Sequence, residues 1–176
     1  MDNVTETMRR DFTTAAWNGQ VDVLEATLAV YPDAIHWKRP GSGLTALIHA
    51  VASGSLAEKA FPVLVSKGSD INATDDQGWT ALMYAAENGG KDMAIKLLDA
   101  GADTTLRNKG GCTAVHVAEE KNTVWSLEIA KIILAHESRI AEKKQREVMT
   151  MQAEVAQLHS GLAQPIAVRR PLDLKR

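Results

Sequence analysis

The run Gly78-Trp79-Thr80-Ala81-Leu82-Met83-Tyr84-Ala85-Ala86-Glu87-Asn88-Gly89, continued by Asp92 to Ala100 and closed by Gly101-Ala102-Asp103, decides how this chain is read. Thr80 precedes a short apolar stretch dense in alanine, the best helix former and small enough to let helices approach closely. Gly89 ends that stretch as a C-cap glycine with positive φ would. Met93, Ala94, Leu97 and Leu98 then mark one stripe of a second helix, which Gly101 stops. The polar, Gly-rich stretch to Gly111 reads as a turn. The segment therefore predicts helix, turn, helix, loop.

Working outward, the same landmarks recur. Gly43-Leu44-Thr45-Ala46-Leu47, Gly78-Trp79-Thr80-Ala81-Leu82 and Gly111-Cys112-Thr113-Ala114-Val115 are separated by 35 and 33 residues. Gly19, Gly54 and Gly89, each after a small or polar residue, are 35 apart. Lys67-Gly68-Ser69-Asp70-Ile71-Asn72 is echoed by Ala100-Gly101-Ala102-Asp103-Thr104. Periods of this length mean stacked units, none of which can bury its apolar face alone.

With these residues in view, the sequence resembles the ankyrin repeat family. Thr80-Ala81-Leu82-Met83 stands where the family has Thr-Pro-Leu-His, Thr113-Ala114-Val115-His116 keeps the histidine, and Thr45-Ala46-Leu47-Ile48 keeps the threonine and leucine. Gly101-Ala102-Asp103 matches the family's Gly-Ala-Asp. The resemblance covers four units at roughly 5–40, 41–75, 76–109 and 110–137, and implies an all-α solenoid. The first unit has Arg10-Asp11-Phe12-Thr13 in place of the tetrapeptide, as a terminal capping unit needs a polar outer side. In the fourth, Asn122 replaces the glycine and Thr123-Val124-Trp125 lengthens the helix junction.

The expected organisation is a repeat domain over 1–137, a C-terminal helix over 138–163 and an extended basic tail over 164–176. Val148, Met151, Val155, Leu158 and Leu162 follow one another at spacings of 3, 4, 3 and 4, an apolar seam two heptads long. Such a helix either folds back over the last repeat or offers its seam to another chain or a second copy. A monomer is favoured over a dimer.

Composition removes several functions. The chain has 176 residues, 45% hydrophobic and 24% charged, with net charge −2, which gives no reason to invoke nucleic acid or a membrane surface. No stretch approaches the roughly 20 apolar residues of a membrane span. The start is not a secretory signal, and the single cysteine, Cys112, fits a cytoplasmic setting. Residues 1–137 carry 12 basic and 18 acidic side chains, residues 138–176 carry 8 and 4. No metal-binding, nucleophile or phosphate-loop motif is present, so no catalytic residue, metal or cofactor is expected. His49 and His116 are expected to be structural.

Function then falls to the surface. By the resemblance, loop tips and inner helices line a concave face that binds protein partners. Carried over position by position, the tip sites are Arg9, Leu44, Trp79 and Cys112, preceded by Gly41, Ser42, Asp76, Gln77 and Lys109. The inner-helix sites include Trp17, Glu87 and Asn88. Trp79 and Trp17 are the candidate anchors, because tryptophan removes a large apolar area from water and donates one hydrogen bond. Trp37 and Trp125 are expected in packing roles. Asp75, Asp76 and Glu87 suggest an acidic middle, which a basic patch on a partner of unknown identity would complement.

Overall fold

The computed structural model describes residues 2–54 and 57–162, with side chains from 6 to 54 and from 58 to 158. The extended tail expected from 164 onward lies outside them. The helices are α1 (Asp2–Trp17), α2 (Val21–Val30), α3 (Ala46–Ala52), α4 (Ala57–Ser66), α5 (Ala81–Asn88), α6 (Lys91–Asp99), α7 (Ala114–Lys121) and α8 (Val124–Leu162), with a short 3-10 helix at Pro32–His36. Among the described residues there are isolated β-bridges but no strand. The chain divides into two units, Met1–Glu137 and Ser138–Arg176.

In the first unit the helices pair in order, α1 with α2, α3 with α4 and α5 with α6, and α7 is followed by the start of α8. Each repeated threonine starts its helix by the same device. The hydroxyls of Thr45 and Thr80 accept from the amides of Ile48 and Met83 at 3.3 Å, and that of Thr113 from His116 at 3.5 Å. Such caps contribute about 1 kcal/mol each. At the other end of α5, Gly89 takes the left-handed φ of 72°. Asn122, in the same place after α7, takes φ 49°, a conformation that asparagine tolerates better than most residues.

The alanines do what their size permits. Ala46, Ala50, Ala81, Ala85, Ala86, Ala114 and Ala118 are all buried, so α3, α5 and α7 lie close together, with α1 joined to the row through Ala15, Ala16 and Phe12. The outer helices add Leu24, Leu28, Leu64, Leu97, Leu98, Ile129 and Ile133 to the core, and the inner row contributes Phe12, Leu47, Ile48, Leu82 and Met83. The inner helices lie in closer contact with one another than the outer helices do.

Three local expectations are corrected. The α7–α8 junction is not lengthened. Thr123 caps α8 at once, with the Ser126 amide bonded to Thr123 Oγ1 at 3.1 Å and the Thr123 amide returned to Ser126 Oγ at 3.0 Å. Trp125 is not packed away: it is 64% exposed, while Trp37 is partly buried against Phe12 and Tyr31 as expected. Arg9 lies within α1, whose 16 residues about double the length of α3, α5 and α7, and so is not on a loop.

Residues 138–162 continue α8 as one helix. Val148, Met151, Val155 and Leu158 are exposed along it, and the pairs Lys143–Glu147 and Arg146–Glu142 sit at i, i+4 spacing. The side chain of Leu162 lies outside the described residues.

Candidate partner-binding face

Three loops cross from one repeat to the next, and all close with the same backbone bond. Arg39 N donates to Leu44 O at 2.8 Å, Asp75 N to Trp79 O at 3.0 Å and Asn108 N to Cys112 O at 3.0 Å. The loops are also joined to one another. Asp76 N donates to Ser42 O at 3.0 Å and Lys109 N to Gln77 O at 2.9 Å. The expected tip positions Ser42, Asp76, Gln77 and Lys109 thus form a continuous backbone-linked edge, along which Asp76, Gln77 and Lys109 have exposed side chains.

Inside the second loop, Asp75 is buried and fully used. One carboxylate oxygen accepts from the amides of Gln77 and Trp79, both at 2.8 Å, and the other from the Tyr84 hydroxyl at 2.8 Å. Asn108 does the same work in the third loop, accepting from Gly110 at 2.9 Å and Cys112 at 3.0 Å. Burial first, and the bond to Asp75 second, push the Tyr84 phenol well above its usual range. Glu87 pairs with Lys121 at 3.1 Å. The expected acidic middle is therefore largely committed within the fold: Asp75 holds its own loop and Glu87 has a lysine.

The candidate anchors differ. Trp79 is half-buried, tilted against Tyr84 with ring centroids 5.2 Å apart. Trp17 is 39% exposed and rests on His49 at 4.8 Å. His49 is buried, with Nδ1 2.8 Å from the Thr13 carbonyl, which ties α3 to α1. Burial lowers its pKa most, the nearby Arg39 adds to that, and the Thr13 bond opposes it. Leu44 and Cys112 are partly buried against the core, and the Cys112 thiol has only a long contact, 3.9 Å, to Gly110 O. Asn88 is exposed and bonds Ala52 O at 3.2 Å, across to the preceding repeat. His116 is exposed and its Nδ1 lies 2.7 Å from Thr113 Oγ1, so it reinforces its own cap.

Among the described residues no three His, Cys, Asp or Glu side chains come together as a metal site, and no helix is long and apolar enough to cross a membrane. What the structure brings together is a linked row of tips with the ends of the inner helices behind it. Sequence reading missed Lys38 and Arg39 at the start of that row. Spacing alone hides the match: Arg39 closes its loop as Asp75 and Asn108 do, but four residues before the glycine rather than three.

Comparison with known proteins agrees with this architecture. The family of ankyrin repeats (3 copies) matches residues 12–108 and 59–146. The chain belongs to the ankyrin repeat family. The rat Ankyrin repeat and SAM domain-containing protein 6 is 45% identical over 75 residues, 42% of this chain and 8% of that protein. The human Protein phosphatase 1 regulatory subunit 27 is 43% identical over 70 residues, 40% of this chain and 44% of that protein. The human NAD-capped RNA hydrolase NUDT12 is 41% identical over 69 residues, 39% of this chain and 15% of that protein. The chain thus spans less than half the length of each of these relatives. Ankyrin repeats are protein–protein interaction modules, and the likeness to these relatives lies in repeats of that kind.

Proposed function

We propose that this chain is a non-enzymatic interaction module that holds a protein partner on its curved inner face, as a scaffold or as a regulator of an enzyme. The observation that carries this reading is the tip-to-tip hydrogen bonding, which makes separate loops one preformed surface. A rigid surface loses little entropy on binding, which favours affinity. Trp79 is fixed against Tyr84 and Trp17 against His49, so both rings are already ordered for contact. Leu44, Asn88 and Cys112 complete the face. The relative named as a phosphatase regulatory subunit supports the enzyme-regulating form of the reading.

The test uses exposed residues, because Trp79 also packs its own loop. Gln77→Arg with Lys109→Glu changes the tips, and Glu25→Arg with Lys96→Glu changes the outer helices as a control. The tip pair is expected to weaken partner binding about thirtyfold, the loss of one central contact, with unchanged helical circular dichroism. Equal loss from both pairs, or none from the tips, contradicts the reading.

A second reading rests on the seam of α8. Four exposed apolar side chains at heptad spacing suit a helix shared with a second copy, which would make self-association the role of this segment.

A further inference from the structure

A groove of about 480 Å³ opens between α1 and the first tip loop, lined among others by Glu6, Arg9, Lys38, Arg39 and Asp76. Glu6 is already paired, with Arg10 at 3.3 Å. That leaves three cations facing one carboxylate.

Two of the three cations are oriented without being neutralised. Lys38 Nζ donates to the Thr74 carbonyl at 2.7 Å, and Arg39 Nη1 lies 3.4 Å from His49 Nε2. Both are oriented by uncharged groups, so their charge remains available. Arg9 is exposed and makes no ion pair among the residues whose side chains are described. Like charges gathered around a concave surface raise the local concentration of anions.

Register shows that Arg39 is not there to fold its loop. At the matching positions Asp75 and Asn108 each accept two backbone amides. A guanidinium has donors only and cannot accept. The first loop is one residue longer and adds a left-handed Gly41 (φ 80°) to the left-handed Gly43 (φ 69°), whose counterparts Gly78 and Gly111 turn the other two loops. A Cβ on Gly43 would collide with the Asp76 carboxylate, so that acid is seated over the glycine.

We propose that this groove binds a carboxylate-rich segment of the protein partner, Arg9, Lys38 and Arg39 receiving its acidic side chains. The inference deepens the interaction-module reading and rests on it. It also gives the partner a direction along the face, acidic part against the first repeat.

The probe is fluorescein-labelled octaglutamate, followed by anisotropy with the full chain at low salt. The wild type is expected to bind, and Arg9→Glu with Lys38→Glu to weaken binding about tenfold or more. The same charge change placed at Lys143 and Lys144, or at Arg169 and Arg170 of the tail, is expected to leave it within about twofold. No binding by the wild type, or equal weakening by the control pairs, overturns the proposal. A phosphoserine peptide that binds where octaglutamate does not overturns the carboxylate assignment as well. If octaglutamate fails while partner binding still depends on Gln77 and Lys109, the acidic segment alone is wrong. If that dependence fails, the interaction-module reading itself is wrong.

Discussion

Asp75 shows how one carboxylate can be mistaken for surface charge. It sits among Asp76, Gln77 and Gly78 in a polar turn, yet the fold buries it and gives it three donors. The partner that decides its role, Tyr84, lies nine residues on, about a quarter of a repeat away. What the sequence does display is the Asx-turn chemistry, in which Asp75 and Asn108 each stand three residues before a glycine. Asp75→Ala would strip two amides and a phenol of their acceptor and is expected to cost about 2–3 kcal/mol in urea unfolding. A change below about 0.5 kcal/mol would return Asp75 to the surface. His49 supplies a second residue-scale prediction. Burial holds its folded pKa below the ordinary histidine value of about 6.5, so its stabilising contribution is full above that pH and is lost as pH falls toward the lowered value. Thermal melts should therefore drop between pH 7 and pH 5, and His49→Gln should flatten that slope.

The helices were largely legible because their signals are local. Threonine caps, alanine-rich inner helices and left-handed glycines repeat at near-constant spacing, and α3, α5, α6 and α7 fall where those signals place them. Charge was less legible. Whether Glu87 is free or paired depends on Lys121, 34 residues away in the next repeat, and no periodicity reveals it. Exposure of Trp125 is of the same kind: the sequence has no marker for a tryptophan in the first turn of α8 that stays in water. The seam on α8 is testable at this scale. The self-association reading predicts a dimer in sedimentation velocity, with Val148, Met151, Val155 and Leu158 buried between two copies, that Val155→Lys with Leu158→Lys turns into a monomer. A wild-type monomer at tens of micromolar removes the self-association reading.

At the scale of the repeat unit Met1–Glu137, architecture and site have one cause. Each repeat buries its apolar face only against its neighbours, so the stack must be continuous to be stable. The same stacking lays the tip loops side by side and lets their backbones bond from one to the next. The proposed interaction face is thus a by-product of stability, and its chemistry is free to vary at positions such as Asp76, Gln77 and Lys109, whose side chains are exposed. Arg39 illustrates that freedom, since a position used elsewhere to fold the loop carries a cation instead. Hydrogen–deuterium exchange on the partner complex tests this account most directly. It predicts new amide protection at 39–44, 75–79 and 108–112, with α2, α4 and α6 unchanged. Protection gained on those outer helices, or only over 148–158, with the tip loops exchanging as in the free chain, would contradict it.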